Sequence, residues 1–242
     1  MHPLSYIQFE QTHVWFYPEA LRQHQLSEPT PRWFEPHHLP HEFTITGSAT
    51  GRGTTWFLAV NNTQLVLRHY QRGGLISRLS RDTFMLFSMP MTRPVRELRL
   101  LAQLQDWHLP APQPIAGRVI RNGLVWRGDL LTVKIPGASD VHSLLLSRSL
   151  SIMEWRHIGA TIRRFHNRQV FHHDLNIHNI MLDDEGQAWL IDFDKCGVRN
   201  GQRWKKANLA RLKRSLDKES VCNPNYHFTS DNWQAILDGY GR

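Results

Sequence analysis

The segment "HHDLNIHNIMLDD", His172 to Asp184, constrains this chain more than any other. It packs three histidines, three aspartates and two asparagines into thirteen positions. Such density serves either a metal or a set of catalytic oxygens. A zinc site needs ligands on one helical face or a CxxC partner, whereas His172 and His173 are adjacent and diverge, and no second cluster of suitable spacing lies near them. The alternative rests on Asp174, on Asn179 five residues later, and on Asp192, which ends the apolar run "AWLID". Read singly, these are a turn acid, a cap and a strand-end acid. As an ordered set they offer a carboxylate base followed by two oxygen donors for a hard cation.

The order matches known chemistry. His172, Asp174, Leu175 and Asn179 follow the H-x-D-L-x-x-x-N pattern of the protein-kinase-like catalytic loop, and Asp192, 18 residues beyond Asp174, stands where the aspartate of a D-F-G segment binds Mg²⁺. Transfer of a phosphoryl group from ATP needs a carboxylate to orient the acceptor hydroxyl and take its proton, and oxygens to hold the metal over the phosphates. Asp174 is the candidate base, Asn179 and Asp192 the candidate magnesium ligands, ATP and Mg²⁺ the implied cofactors. Upstream, "GSATGRG" with Gly47, Gly51 and Gly53 lies between two strand patterns, where backbone N–H groups can cover phosphates; alone it is also an ordinary hairpin turn. The third strand, "LVLRHY", carries Arg68 where a lysine is usual, and Glu97 on the next helix is its candidate partner; the competing reading of Glu97 is a solvated surface acid.

Residues 1 to 43, with "EPTPRWFEPHHLP", read as an irregular arm. From Phe43 onward, strand, glycine turn, strand and a third strand after Asn61-Asn62 predict an antiparallel meander. In "TRPVRELRLLAQLQDWHL", Val95, Leu98, Leu101 and Leu104 recur every three residues, as a helix face requires. Strands are expected at about 115 to 121, 123 to 127 and 130 to 135, then a hinge at Pro136-Gly137. Beyond it come a helix with Ile152, Trp155, Ile158, Ile162 and Phe165 on one face, two short strands flanking the Asp183 to Gly186 turn, a basic helix "WKKANLARLKRSL" and a helical tail. The domain reading is an arm and N-terminal lobe over 1–133 and a C-terminal lobe over 134–242.

A formal charge of +8 calls for an anionic partner, whether nucleic acid, a phosphorylated small molecule or an acidic membrane surface. Seven arginines between Arg68 and Arg99 (68, 72, 78, 81, 93, 96, 99) face two acids and flank "TFMLFSMPM"; eight Lys/Arg between Gly197 and Lys218 face Asp217 alone. Leu209, Leu212 and Leu216 make the second stretch equally readable as a core stripe with a solvated basic face. No apolar run reaches the roughly 18 residues of a spanning helix, and the opening lacks signal-peptide features, so a cytoplasmic protein is expected. Cys196 and Cys222 are expected to be free thiols.

Through "LRHYQRGG" (67–74), "RELRLLAQL" into "LPAPQP" (96–114), "HHDLNIHNIML" (172–182) and "LIDFDKC" (190–196), the chain resembles the lipopolysaccharide kinases of Gram-negative bacteria, most of all those acting on 3-deoxy-D-manno-octulosonic acid (Kdo). The resemblance covers most of residues 47 to 215. It implies an α+β, protein-kinase-like two-lobed fold with an antiparallel N-lobe sheet, a reduced helical C-lobe and ATP in the cleft between them. It also implies phosphorylation of the 4-hydroxyl of a Kdo sugar on a lipid A precursor at the cytoplasmic face of the inner membrane. Arg72, Arg78 and Arg81, just after the Arg68 strand, are the candidate acceptor-binding cations. His173 replaces the arginine that would meet a phosphorylated activation loop, Asp194 replaces the D-F-G glycine, and the stretch after Asp192 has no A-P-E motif and is too short for a protein-substrate platform. Neither loop-phosphorylation control nor a protein acceptor is expected. The rival readings are an aminoglycoside- or choline-type kinase, against which the arginines argue, and a catalytically dead nucleotide- or nucleic-acid-binding module, against which the retained Asp174, Asn179 and Asp192 argue. No nucleic-acid fold signature is present.

Overall fold

The computed structural model describes residues 3–50, 54–71, 82–85 and 88–241. The chain divides into two compact units, one holding 1–106 and 112–134, the other 107–111 and 135–242. The short stretch Trp107–Ala111 therefore groups with the second unit, although it is flanked by the first.

The first unit is an antiparallel sheet with one long helix. Its strands are β1 (Ser5–Phe9), β2 (Thr12–Phe16), β3 (Phe43–Thr50), β4 (Thr54–Val60), β5 (Thr63–His69), β6 (Phe84–Met85), β7 (Pro114–Asn122) and β8 (Val125–Val133). They lie in the order β1-β2-β7-β8-β5-β4-β3, with β6 also paired to β8. The N-terminal arm is thus not irregular throughout. Residues 5–16 form a hairpin that extends the sheet through β2 and β7, and α1 (Pro18–Gln23) follows it. Val14, Trp15 and Phe16 are buried there, which the proline- and histidine-rich stretch behind them hid from a composition reading.

Where three strands were expected between 115 and 135, two long ones form. Gly128 does not break β8; a Cβ there would come within 2.6 Å of Pro94 Cγ, so glycine is what lets α2 (Arg93–Asp106) press against the strand. Val95, Leu98, Leu101 and Leu104 are all buried on that helix, as their spacing predicts. A buried charge cluster ties residues 31–35 to the sheet. Arg118 on β7 donates through Nε to Asp129 Oδ2 at 2.8 Å and through its Nη atoms to the carbonyls of Pro31 and Phe34. His69 Nδ1 sits 2.7 Å from the other Asp129 oxygen.

The second unit is mainly helical. Its elements are β9 (Ser139–Asp140), α3 (Val141–Ser147), α4 (Ile152–Asn167), β10 (Val170–Phe171), β11 (Ile180–Leu182), β12 (Ala188–Leu190), β13 (Gly197–Val198), α5 (Arg203–Cys222) and α6 (Ser230–Tyr240). α4 starts at a capping box in which Ser151 and Glu154 satisfy each other's backbone N–H. It buries Trp155, Ile158, Ile162 and Phe165, while Ile152 in its first turn is 47% exposed. Gly159 and Gly239 set the approach of α4 to α6. A Cβ on either would lie 2.0 Å from a carbonyl oxygen of the other helix, so even alanine forces them apart. Cys196 is buried and Cys222 exposed, both as free thiols. Among the described residues no helix is long and apolar enough to cross a membrane.

Candidate active site

The candidate catalytic segment is a loop pinned at several points. After β10 the chain turns at His173–Asp174 and enters a single 3-10 turn, Ile177–Asn179, capped by the Asn176 side chain on the His178 N–H. Leu175, before the 3-10 turn, and Ile177, its first residue, are fully buried anchors. Asn179 Nδ2 donates to the Asp174 carbonyl at 2.9 Å, which closes the loop on itself. That bond uses the amide nitrogen and turns the amide oxygen to the other side, where it can serve a hard cation.

Register brings Asp192 to the same place. β11 and β12 pair as a hairpin with Ile180 opposite Leu190, and the next residues continue the ladder, Ile191 N–H donating to the Asn179 carbonyl at 3.1 Å. The Ile191 carbonyl in turn meets His172 Nε2 at 3.0 Å. Both polar backbone groups of the residue before Asp192 are therefore held by the catalytic segment, which sets Asn179 and Asp192 side by side at one end of the hairpin. Asp192 itself has φ +61°, in the left-handed region that non-glycine residues rarely adopt. Phe193 follows fully buried, stacked on Phe165 and edge-on to His172. Strain of this kind persists only where surrounding contacts over-determine it, and here they aim a carboxylate.

His172 is structural in this arrangement. It is 2% exposed, and burial holds its pKa below the ordinary histidine value despite the hydrogen bond to Ile191 and the nearby aspartates. The neutral ring donates through Nε2. Asn208 of α5 completes the support, its amide accepting from the His172 N–H and donating to the His172 carbonyl. His173 N–H points to Cys196 Sγ at 3.2 Å.

The residue that sequence spacing did not single out is Arg211. It lies on the exposed side of α5, and its Nε donates to Asp174 Oδ1 at 3.0 Å while Nη2 reaches the same oxygen. An arginine from a helix 37 residues away thus fixes the rotamer of the candidate base. In sequence it was one basic residue among eight.

In the first unit, Arg68 projects from β5 and its Nη2 donates to Glu97 Oε2 at 2.5 Å. Tyr70 OH donates to the same oxygen at 2.5 Å, and the guanidinium groups of Arg68 and Arg93 each lie 5.0 Å from the Tyr70 ring centre. The Glu97 side chain is 3% exposed and that of Arg68 26%. Glu97 is therefore a buried, doubly hydrogen-bonded carboxylate, and the surface-acid reading fails. Gly47 falls within β3, next to a register shift opposite Phe57, rather than in the turn. Gly51 and Gly53, and the cations Arg72, Arg78 and Arg81, lie outside the described residues.

On the other side of the sheet His69 bridges Asp129 and Asp82, the latter 3.4 Å from Nε2. Desolvation pulls its pKa down, but the hydrogen bonds and charges of Asp129 and then Asp82 outweigh it and raise the pKa above the ordinary value.

The donor set of the second unit suits magnesium: a carboxylate and an amide oxygen adjacent on one hairpin end. Comparison with known proteins fits this chemistry. The chain is 44% identical over 230 residues to the 3-deoxy-D-manno-octulosonic acid kinase of Vibrio cholerae, covering 95% of each chain. It is 40% identical to that of Photobacterium profundum, covering 96% of each, and 41% identical to that of Haemophilus influenzae, covering 88% of this chain and 91% of the relative. A solved structure, WaaP in complex with acyl carrier protein, superposes with a TM-score of 0.56 over 94% of this chain and 88% of that one; at 14% identity this likeness establishes the shared fold. With the family model for these enzymes matching residues 38–240 as well, the protein belongs to the lipopolysaccharide kinase (Kdo/WaaP) family.

Proposed function

We propose that this protein transfers the γ-phosphoryl group of ATP to the 4-hydroxyl of a Kdo sugar on a lipid A precursor. The observation that carries the reading is the agreement between near-full-length relatives named Kdo kinases and an Asp174–Asn179–Asp192 arrangement held by backbone hydrogen bonds at one hairpin end. Asp174 orients the acceptor hydroxyl and takes its proton. Asn179 Oδ1 and the Asp192 carboxylate hold Mg²⁺, which when bound neutralises charge on the transferring phosphate. Arg68, braced by Glu97 and Tyr70, supplies the cation for the non-transferred phosphates, and the backbone around Gly47, Gly51 and Gly53 covers them. Arg211 keeps Asp174 in one rotamer, so the carboxylate meets the incoming hydroxyl without first losing side-chain entropy.

The acceptor is a membrane lipid, so the protein works at the cytoplasmic face of the inner membrane as a peripheral protein. Helix α5 contributes charge to that contact and no apolar face: Leu209, Leu212 and Leu216 are buried, while Arg203, Lys206, Arg214 and Lys218 are exposed. Arg72, Arg78 and Arg81 supply cations for the acidic sugar. Each cation near an anionic surface contributes about 1 kcal/mol.

The test is a radiolabelled-ATP transfer assay with Mg²⁺ over four acceptors: Kdo-bearing lipid A precursor, a free hexose, an aminoglycoside and a protein. Label is expected in the Kdo lipid only. Efficient transfer to the aminoglycoside and none to the Kdo lipid would overturn the reading. Co-sedimentation with anionic vesicles should weaken as salt shrinks the Debye length from about 10 Å at 0.1 M to about 3 Å at 1 M. Binding that ignores salt would remove the membrane half.

A further inference from the structure

Within the second unit three side chains from distant parts of the chain converge on one spot: His142 on α3, His178 in the 3-10 turn of the catalytic segment, and Glu219 near the end of α5. One ligand-capable atom from each lies within 4.8 Å of the others. His178 Nε2 is 3.2 Å from Glu219 Oε1, and His142 Nδ1 is 3.9 Å from Glu219 Oε2. The two imidazole rings are 4.2 Å apart between centres. Tyr226 OH stands 3.2 Å from His142 Nδ1, at the edge of the group.

We infer that His142, His178 and Glu219 form a binding site for a single divalent transition-metal ion of the zinc class, separate from the magnesium position at Asn179 and Asp192. Two imidazoles and one carboxylate are the donor set that Zn²⁺, Co²⁺ and Ni²⁺ favour, whereas Mg²⁺ requires oxygens. Zn–N and Zn–O bonds of about 2.0–2.2 Å place tetrahedral donors roughly 3.3–3.5 Å apart. The His178–Glu219 pair already meets that spacing at 3.2 Å, while His142 must close by about half an ångström on Glu219, and the whole set, now within 4.8 Å, by up to about 1.5 Å. The His142 and Glu219 side chains are 18% and 14% exposed, and that of His178 is 48% exposed, so the site has two buried walls and one open side for a water ligand. The ion would clamp α3, the 3-10 turn and the end of α5 together, one residue from Asn179.

The experiment uses the untagged full-length chain, stripped with a chelator and then titrated, without nucleotide, with Zn²⁺ against a chromophoric competitor and with Co²⁺ followed by its visible absorption. One equivalent should bind, with a four- or five-coordinate Co²⁺ spectrum, unaffected by millimolar Mg²⁺, and should raise the melting midpoint. His142→Ala, His178→Gln and Glu219→Gln should each weaken binding by about tenfold or more. Because the His178 side chain is half exposed, His178→Gln remains folded and decisive even where His142→Ala disturbs α3. Absence of a stoichiometric Zn²⁺ or Co²⁺ complex in the parent, or binding unchanged in His178→Gln and Glu219→Gln, would overturn the site. Since no phosphoryl transfer is measured, neither result depends on the proposed acceptor.

Discussion

Arg68→Lys should impair the protein although the formal charge is kept. In the structure the guanidinium and the Tyr70 hydroxyl converge on one Glu97 oxygen, each at 2.5 Å, and the Glu97 side chain is only 3% exposed. Breaking a buried ion pair outright costs about 3–5 kcal/mol, because a charge is left without its partner. Arg68 keeps 26% of its side-chain surface in water, which puts Arg68→Met at the low end, about 3 kcal/mol. Lysine restores the charge but not the planar fork, so its deficit is about one charge-assisted hydrogen bond, roughly 1.5 kcal/mol. If the lost geometry is also what places the cation on the nucleotide, kcat/KM for ATP falls about tenfold. A double-mutant cycle of Arg68→Met with Glu97→Gln, read by urea unfolding under tryptophan fluorescence, should give a coupling of about 2–3 kcal/mol, well above the roughly 0.2–1 kcal/mol of an exposed pair. A coupling below about 0.5 kcal/mol, with Arg68→Lys turning over like the parent, would refute the reasoning.

Asp174→Asn should lower kcat by at least about a hundredfold while ATP still binds, as expected for a positioned base; equilibrium nucleotide binding beside turnover separates the two. Asp192→Ala should abolish Mg²⁺-dependent nucleotide binding and turnover together, and a retained Mg²⁺ dependence would remove it from the metal. Arg211→Ala should lower kcat without reaching the Asp174→Asn floor, measured at saturating ATP. For pH, the buried His172 has a folded pKa below its unfolded value of 6.5, so the unfolded chain binds the extra proton. Its stability contribution is present above pH 6.5 and is lost as pH falls below it. His69 has the opposite sign: its raised pKa gives a contribution fully present below 6.5 and lost as pH rises through the folded value. Melting midpoints across about pH 5 to 8 should therefore lose an acid-side decline in His172→Gln and an alkaline-side decline in His69→Gln.

What the sequence disclosed followed from local periodicity and short spacing. Val95, Leu98, Leu101 and Leu104 announced α2 because burial on a helix face repeats every three to four residues. The spacing of Asp174, Asn179 and Asp192 was readable because a loop and the hairpin after it keep their lengths in the chain itself, and the structure brings Asn179 and Asp192 to one hairpin end. Arg68 and Glu97 were paired only through the kinase pattern, and the depth of Glu97's burial was not legible, since a single acid within an arginine-rich helix looks solvated. Features made by tertiary approach were hidden. Arg211 on Asp174, Asn208 on His172 and Arg118 on Asp129 join elements far apart in sequence, and Gly159 and Gly239 matter only because two helices touch there. The β1–β2 hairpin was missed because Pro, His and Glu dominate the stretch that follows it. Two five-residue strands, one largely exposed and the other buried over four consecutive residues, show no clear period-two alternation and leave a weak signal beside such neighbours.

The most direct test is to incubate the protein with ATP, Mg²⁺ and a Kdo-bearing lipid A precursor, and to locate any added phosphate by mass spectrometry and NMR of the isolated product. The expected result is one phosphate on the 4-hydroxyl of Kdo, formed by the parent and almost absent with Asp174→Asn. Product carrying the phosphate on another hydroxyl, or no Kdo-lipid product while another acceptor is phosphorylated, would contradict it.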